Sequence, residues 1–499
     1  MTTQQAKYEL LKEHNSDRNN YTCLRACALV LLCTASTIAV FTTWNFIYKQ
    51  SLNIPPQLVN IPEFWIKRAQ VYSFYFTNAD RVSYNKTTNL DDFSTQDSHI
   101  DGVKQIGNER IYPSKLGNFI YKSPTQESDL KLVCYYAAPP STAKSNQLYP
   151  QNIDPHLCTH INVGLIEIEN NRLVIDDRLI DLFNQTKELK IKNKNLKILL
   201  WVGGAESKGF SEMVANHANR KLFIQSLKEA LETYRLDGID LDWEFPSAYR
   251  RERQHFSQLL HEIRREYQRE HRTYLLSVAA AAPEGIVYFA YDIGEINNYA
   301  DYVNIMTYDY HFYTPSTPFT GLNAPLYARQ NEYSLLGTLN INYTVNYWES
   351  HGLNKSKIVI GLPTYGHSFR LVNPYNNKIG SPAESIGRVG TMGFASYSEI
   401  CWFKQNNIYV QTVYDVDTCS PYVYSGLEWI SYEDERSLEC KTQFIKENGY
   451  GGAMIFSLNT DDYASHCEVK EEGNGNLKST NSTFPLLRKI HSILFENIK

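Results

Sequence analysis

The sequence predicts a (β/α)8 barrel with an α+β subdomain inserted between its seventh strand and seventh helix. Short apolar runs rich in β-branched and aromatic residues recur eight times from Leu132 onward. Most are separated by stretches of helical spacing, the pattern of parallel strands joined by crossover helices. The gap between the seventh and eighth runs is roughly 90 residues and carries strand-like stretches of its own, too long for one crossover.

The eight runs are LVCYYA (132–137), THINVGLI (159–166), LKILLWV (196–202), GIDLDWE (238–244), YLLSVAAAA (274–282), YVNIMTYD (302–309), KIVIGLP (357–363) and GAMIFSL (452–458). NRKLFIQSLKEALETYR (219–235) and RRERQHFSQLLHEIRREYQ (250–268) are examples of the helical stretches between them. The insertion is expected near 368–440, and the whole barrel over 129–490. After Asn476, FPLLRKIHSILF has the spacing of a last amphipathic helix.

The segment ahead of the barrel reads differently. From Ala26 to Ile47 there are 22 residues without a charge, long enough to cross a bilayer as a helix. A buried core helix or a cleaved signal peptide are the alternatives. The length, the distance from the amino terminus and the lack of a small-residue cleavage site favour a membrane anchor. The expected organisation is a cytoplasmic tail (1–24), a transmembrane signal-anchor helix (25–48) and a stem (49–128), the last with a small accessory domain as its alternative. Lys7, Lys12, Arg18 and Arg25 precede the apolar stretch, and Lys49 follows it. This balance orients the chain as a single-pass type II protein with its bulk extracellular or luminal, and one helix in contact with lipid.

Apolar residues make up 42% of the 499, enough for a large core, and the net charge of −5 comes without basic runs. Nucleic acid is therefore excluded as a partner. Cys23, Cys27 and Cys33 sit at or in the apolar stretch, and six further cysteines follow it, an even set that suits disulfides outside the cytosol. Glycosylation sequons at Asn85, Asn184, Asn342, Asn354 and Asn481 also follow it.

The chemistry concentrates in DGIDLDWEFP (237–246). Ile239, Leu241, Trp243 and Phe245 share one face at strand spacing, and Asp240, Asp242 and Glu244 share the other. In a barrel strand the first set faces the helices and the second faces inward, toward the C-terminal mouth where barrel enzymes place their sites. Neighbours at i, i+2 lie about 6.5–7 Å apart. Three confined carboxylates at that spacing cannot all ionise cheaply, so at least one is expected to keep a proton near neutral pH. A solvated acidic loop does not fit the apolar setting, and no glycine-turned loop of oxygen ligands suggests calcium.

Asp237-Gly-Ile-Asp-Leu-Asp-Trp-Glu244 resembles the signature of family 18 glycoside hydrolases, the chitinase family. LVCYY, IDPHLCTHI, VGG, MTYDYH, GLNAPLY, GLPTYGHSF, YSEIC, and GGAM with DDY are similar to family blocks and follow in order from about Lys131 to Cys467. The resemblance implies retaining, substrate-assisted hydrolysis of chitin or another β-1,4-linked N-acetylglucosamine glycan, with no cofactor and no metal. It implies Glu244 as the acid, Asp242 as the group orienting the substrate's acetamide, Asp240 as its proton-sharing partner and Tyr308 as the holder of the acetamido oxygen. Tyr135, Gly204, Met306, Asp309, Tyr365 and Phe456 would surround the sugar, and Asp237 would be structural. It further implies pairing of Cys134 with Cys158 and of Cys401 with Cys467, with Cys419 and Cys440 left to each other.

The chain also departs from that pattern. Pro139 and Ala205 stand where tryptophans often follow the first and third strands. Phe456 replaces the tryptophan that floors the central sugar site, Leu165 stands near a usual phenylalanine, and Trp201 replaces a small residue before Val202-Gly203-Gly204. An indole face offers a sugar a large apolar area, so the grip on long chitin chains is expected to be thin. Alternatives to the chitinase reading are a chitinase-like lectin with little or no hydrolysis and a glucosaminidase acting on short or glycoprotein-borne glycans. Retention of both Glu244 and Asp242 favours the enzyme.

Overall fold

A computed structural model describes residues 130–139, 147–205, 207–247, 250–467 and 483–495. The expected tail (1–24), anchor (25–48) and stem (49–128), with Asn85 and Asn481, lie outside the described residues.

Fifteen strands and ten α-helices follow one another along these residues. The strands are β1 (Lys131–Ala137), β2 (His160–Glu169), β3 (Arg172–Val174), β4 (Lys197–Gly204), β5 (Gly238–Trp243), β6 (Leu275–Ala281), β7 (Tyr302–Met306), β8 (Ile358–Pro363), β9 (Tyr365–Leu371), β10 (Ala383–Ile386), β11 (Phe394–Ser396), β12 (Gln411–Asp415), β13 (Ser420–Ser425), β14 (Glu428–Ser431) and β15 (Gly452–Phe456). The helices are α1 (Asp177–Lys192), α2 (Phe210–Val214), α3 (His217–Tyr234), α4 (Glu252–Arg269), α5 (Glu284–Ala290), α6 (Ile293–Tyr299), α7 (Ile341–Ser350), α8 (Tyr397–Asn406), α9 (Glu435–Glu447) and α10 (Pro485–Phe495).

The barrel strands are β1, β2, β4, β5, β6, β7, β8 and β15, all parallel, and β1 pairs with both β2 and β15, which closes the cylinder. These strands are covered on both faces, which is why they read as continuous apolar runs; every residue of β5, for example, is buried. The loops set the helix starts. Asp176, Asn216, Asn340 and Asp434 each accept a backbone N–H at the start of α1, α3, α7 and α9 and so satisfy donors that the first helical turn leaves over.

The insertion follows β8 after a single residue, Thr364. Its antiparallel sheet runs in the order β10-β9-β14-β13-β12, with β11 on β9, and the chain returns to the barrel through α9. Disulfides join Cys134 to Cys158, Cys401 to Cys467 and Cys419 to Cys440. The first ties β1 to the residues entering β2, the second ties α8 to the chain beyond β15, and the third ties the start of β13 to α9. α10 buries Leu486, Leu487, Ile490 and Leu494, and Asp461 accepts the Leu487 N–H near its start at 3.0 Å. Of the sequons within the described residues, Asn184 and Asn354 are exposed and Asn342 is half-buried.

The expected single-pass type II placement, and with it the lipid contact through one helix, is corrected. No helix among the described residues is long and apolar enough to cross a membrane. The longest, α3 and α4, have 18 residues each, and α4 carries seven charged side chains. They are amphipathic barrel helices, whose charges hydrocarbon would reject.

Gly203, near the end of β4, has φ of +106°, and a Cβ there would lie 2.1 Å from the Asp242 backbone oxygen and 2.7 Å from the Phe210 ring. Gly203→Ala is therefore expected to cost on the order of 3 kcal/mol or more. Thermal unfolding of the variant beside wild type checks this; an unchanged midpoint would refute the packing described.

Candidate active site

Alternation along β5 sorts the side chains as its sequence requires. On the helix side Trp243 stacks on Phe210 of α2, with centroids 5.2 Å apart and planes at 6°, and meets Phe256 of α4 edge-on at 5.9 Å. On the inner side Asp240 is 0% exposed, Asp242 1% and Glu244, just past the strand's end, 8%. The acidic row thus climbs from the barrel's centre toward its C-terminal mouth.

Asp240 is held from three other strands. Tyr135 on β1 donates its hydroxyl to Oδ2 at 2.6 Å. Ser277 on β6 and Asn304 on β7 donate to Oδ1 at 2.6 and 3.0 Å. Burial raises the Asp240 pKa to about 7; those donors pull it down and the neighbouring Asp242 charge adds to the rise. The Tyr135 hydroxyl is pushed well above its ordinary range, first by burial and then by the charges of Asp240 and Asp242, so it stays a donor. Among the described residues no group of three or more His, Cys, Asp or Glu is placed to hold a metal.

Asp242 accepts the indole N–H of Trp201, on neighbouring β4, at 2.8 Å. The Trp201 ring is fully buried and meets Tyr135 edge-on at 4.9 Å and Phe456 at 5.8 Å. Trp201 therefore fills the space beside Phe456 from a different strand, a juxtaposition that the spacing of tryptophans along the chain does not reveal.

A second group lines the β7, β8 and β15 side. Tyr308 stacks on Phe456 with centroids 5.5 Å apart, and its hydroxyl lies 3.8 Å from the Met454 sulfur. Asp309 sits in the left-handed region at φ +60°. Its N–H donates to Asn323 Oδ1 at 2.9 Å, and its Oδ1 meets the Tyr365 hydroxyl at 2.5 Å and His367 Nε2 at 2.7 Å. Tyr365 stacks on Phe394 at 4.2 Å. Phe456 joins the two groups by meeting Tyr135 at 5.4 Å as well. Met306 and Gly204 end β7 and β4 at the same mouth, and Pro139 and Ala205 follow the ends of β1 and β4 with no aromatic ring to offer. Asp237 stands at the opposite end of β5, where Lys190 of α1 and the Ile198 N–H both reach its Oδ2, at 2.6 and 2.8 Å.

Sequence reasoning missed Ser277, Asn304, Asn323 and His367, and singled out Trp201 only as a departure from the family pattern. Ser277 and Asn304 had a readable signal, since each is a single polar residue in an apolar barrel strand and must find a buried partner. His367 lies two residues after Tyr365 on the same strand and so on the same face.

The raised Asp240 pKa carries a stability consequence. Its unfolded value lies near 3.8 and its folded value at about 7. Between them the native state binds more protons than the unfolded state, so this group's contribution to stability falls as pH rises and levels off above the folded value. Asp240→Asn, which cannot ionise, is expected to melt a few degrees above wild type near pH 8 and close to it near pH 4. Calorimetry at the two pH values checks this; equal offsets at both would refute it.

A model of the family described as glycosyl hydrolases family 18 matches residues 131–461. Human chitinase-3-like protein 2 is 34% identical over 349 residues, covering 67% of this chain and 88% of its own length. Mouse chitotriosidase-1 is 34% identical over 355 residues, covering 67% and 74%. Among solved structures, human YKL-39, described as a pseudo-chitinase with retained chitooligosaccharide binding properties, superimposes with a TM-score of 0.67 at 31% identity over 73% of this chain and 99% of that one. With its barrel, its insertion after the seventh strand and its acidic row, the chain belongs to glycosyl hydrolase family 18.

Proposed function

We propose that this chain hydrolyses β-1,4-linked N-acetylglucosamine glycans, chitin or chitooligosaccharides, with retention and with the substrate's own acetamide as nucleophile. The carrying observation is the graded row, with Asp240 fully buried and its pKa raised by burial to about 7, Asp242 next, and Glu244 nearest the mouth. In the first step Glu244 gives its proton to the glycosidic oxygen as the C1–O bond breaks, and the acetamido oxygen bonds to C1 to form an oxazolinium ion. Asp242 accepts the acetamido N–H and stabilises the positive charge that develops. Tyr308 holds the acetamido oxygen, and Asp309 with Tyr365 shapes the wall beside it. In the second step the Glu244 carboxylate takes a proton from water, the water oxygen bonds to C1, and the acetamide is released. This route departs from the usual pair of carboxylates, one acid and one nucleophile.

A second reading, glycan capture with little hydrolysis, draws on the pseudo-chitinase among the relatives and on Pro139 and Ala205 at the mouth. Hydrolysis of chitooligosaccharides of several lengths by the full chain separates the two. Wild type is expected to cut them, and Glu244→Gln to lose about 100-fold or more in kcat while still binding. Silence of both proteins with binding intact would leave the capture reading. Affinity is also expected to level off at short oligomers, since each absent indole platform forgoes about 1 kcal/mol; titration against oligomers of increasing length checks this.

A further inference from the structure

Trp201 belongs to the acidic row's immediate surroundings, yet no step of the hydrolytic reading above uses it. It sits on β4 directly across from Asp240 in the strand register, with Gly203 across from Asp242. Its indole N–H reaches diagonally to Asp242 Oδ2 at 2.8 Å. The ring lies against Tyr135 of β1 and Phe456 of β15, both edge-on at 89° and 81°, and is fully buried. Neighbours on two further strands therefore prevent the ring from turning away without repacking the barrel's centre.

We propose that Trp201 is a positioning residue for the acidic row: its indole N–H holds the Asp242 carboxylate with Oδ2 turned to β4. The proposal rests on the hydrolytic reading for its effect on rate, but not for the contact itself. An indole N–H only donates, so it favours the ionised form of the group it bonds. Titratable neighbours of Asp240 and Asp242 include Tyr135 on β1, which feels the charge of both acids, and Tyr302 on β7, which feels that of Asp240. With Oδ2 held, Asp242 is ready to accept the acetamido N–H without first surrendering a proton.

Trp201→Phe keeps a ring in the space and removes only the donor. On chitooligosaccharides the variant is expected to lose about tenfold in kcat with KM within about threefold of wild type, and the acid limb of its pH–rate profile is expected to move up by about one pH unit. A purely space-filling role would leave that limb in place, and an unmoved limb overturns the proposal. A second measurement needs neither turnover nor a folded Trp201 variant. In the 15N-labelled wild-type chain, the Trp201 indole N–H resonance is expected downfield, as for a donor to a carboxylate, and Asp242→Asn is expected to move it upfield. A resonance indifferent to Asp242→Asn overturns the proposal even if hydrolysis is seen. A shifted resonance in a chain that cuts nothing sustains the contact and removes the hydrolytic reading instead.

Discussion

The centre of this barrel depends on burying one carboxyl. Asp240 has no exposure, and its donors come from β1, β6 and β7. Four of the eight barrel strands must therefore be in register before this group is satisfied. An unpaired carboxyl at that depth would cost several kcal/mol, so closing the cylinder and seating the acid are one event. A slip of β5 by one residue would turn Asp240 and Asp242 into the helix layer and bring Leu241 and Trp243 inside. The stack of Trp243 on Phe210 opposes that slip from the other face.

The period-two pattern of DGIDLDWEFP made much of this legible. Alternation assigned the acids to the inside and the aromatic residues to the helices, and eight apolar runs with one overlong gap carried the barrel and its insertion. What stayed hidden depends on closure. Ser277 and Asn304 lie 37 and 64 residues from Asp240, and only the order of strands around the cylinder brings them to it. Trp201 stood out in sequence as a departure, but its partner could not be read, because the contact runs diagonally between neighbouring strands. The hydrophobic-length rule read one apolar stretch as a membrane helix; that stretch lies outside the described residues, none of whose helices is long and apolar enough to cross a membrane.

The tryptophans among the described residues are mostly buried. Trp201, Trp348 and Trp429 are among the largest fully buried side chains, while Trp402 is 56% exposed on α8. The indole beside Phe456 lies inside the packing and offers no open face. Its apolar area packs against Tyr135 and Phe456, and its N–H is donated to Asp242.

Asp309 shows what the insertion contributes. A left-handed backbone at a non-glycine residue costs about 1 kcal/mol, and the contacts that retain it come from Asn323 and from Tyr365 and His367 of β9. β9 is the first strand of the inserted sheet and begins one residue after β8. The barrel thus supplies the acids, while the insertion supplies the clamp that keeps an adjoining wall in a conformation it would otherwise leave. The inserted sheet is thus no appendage, because two of the side chains that hold Asp309 belong to its first strand.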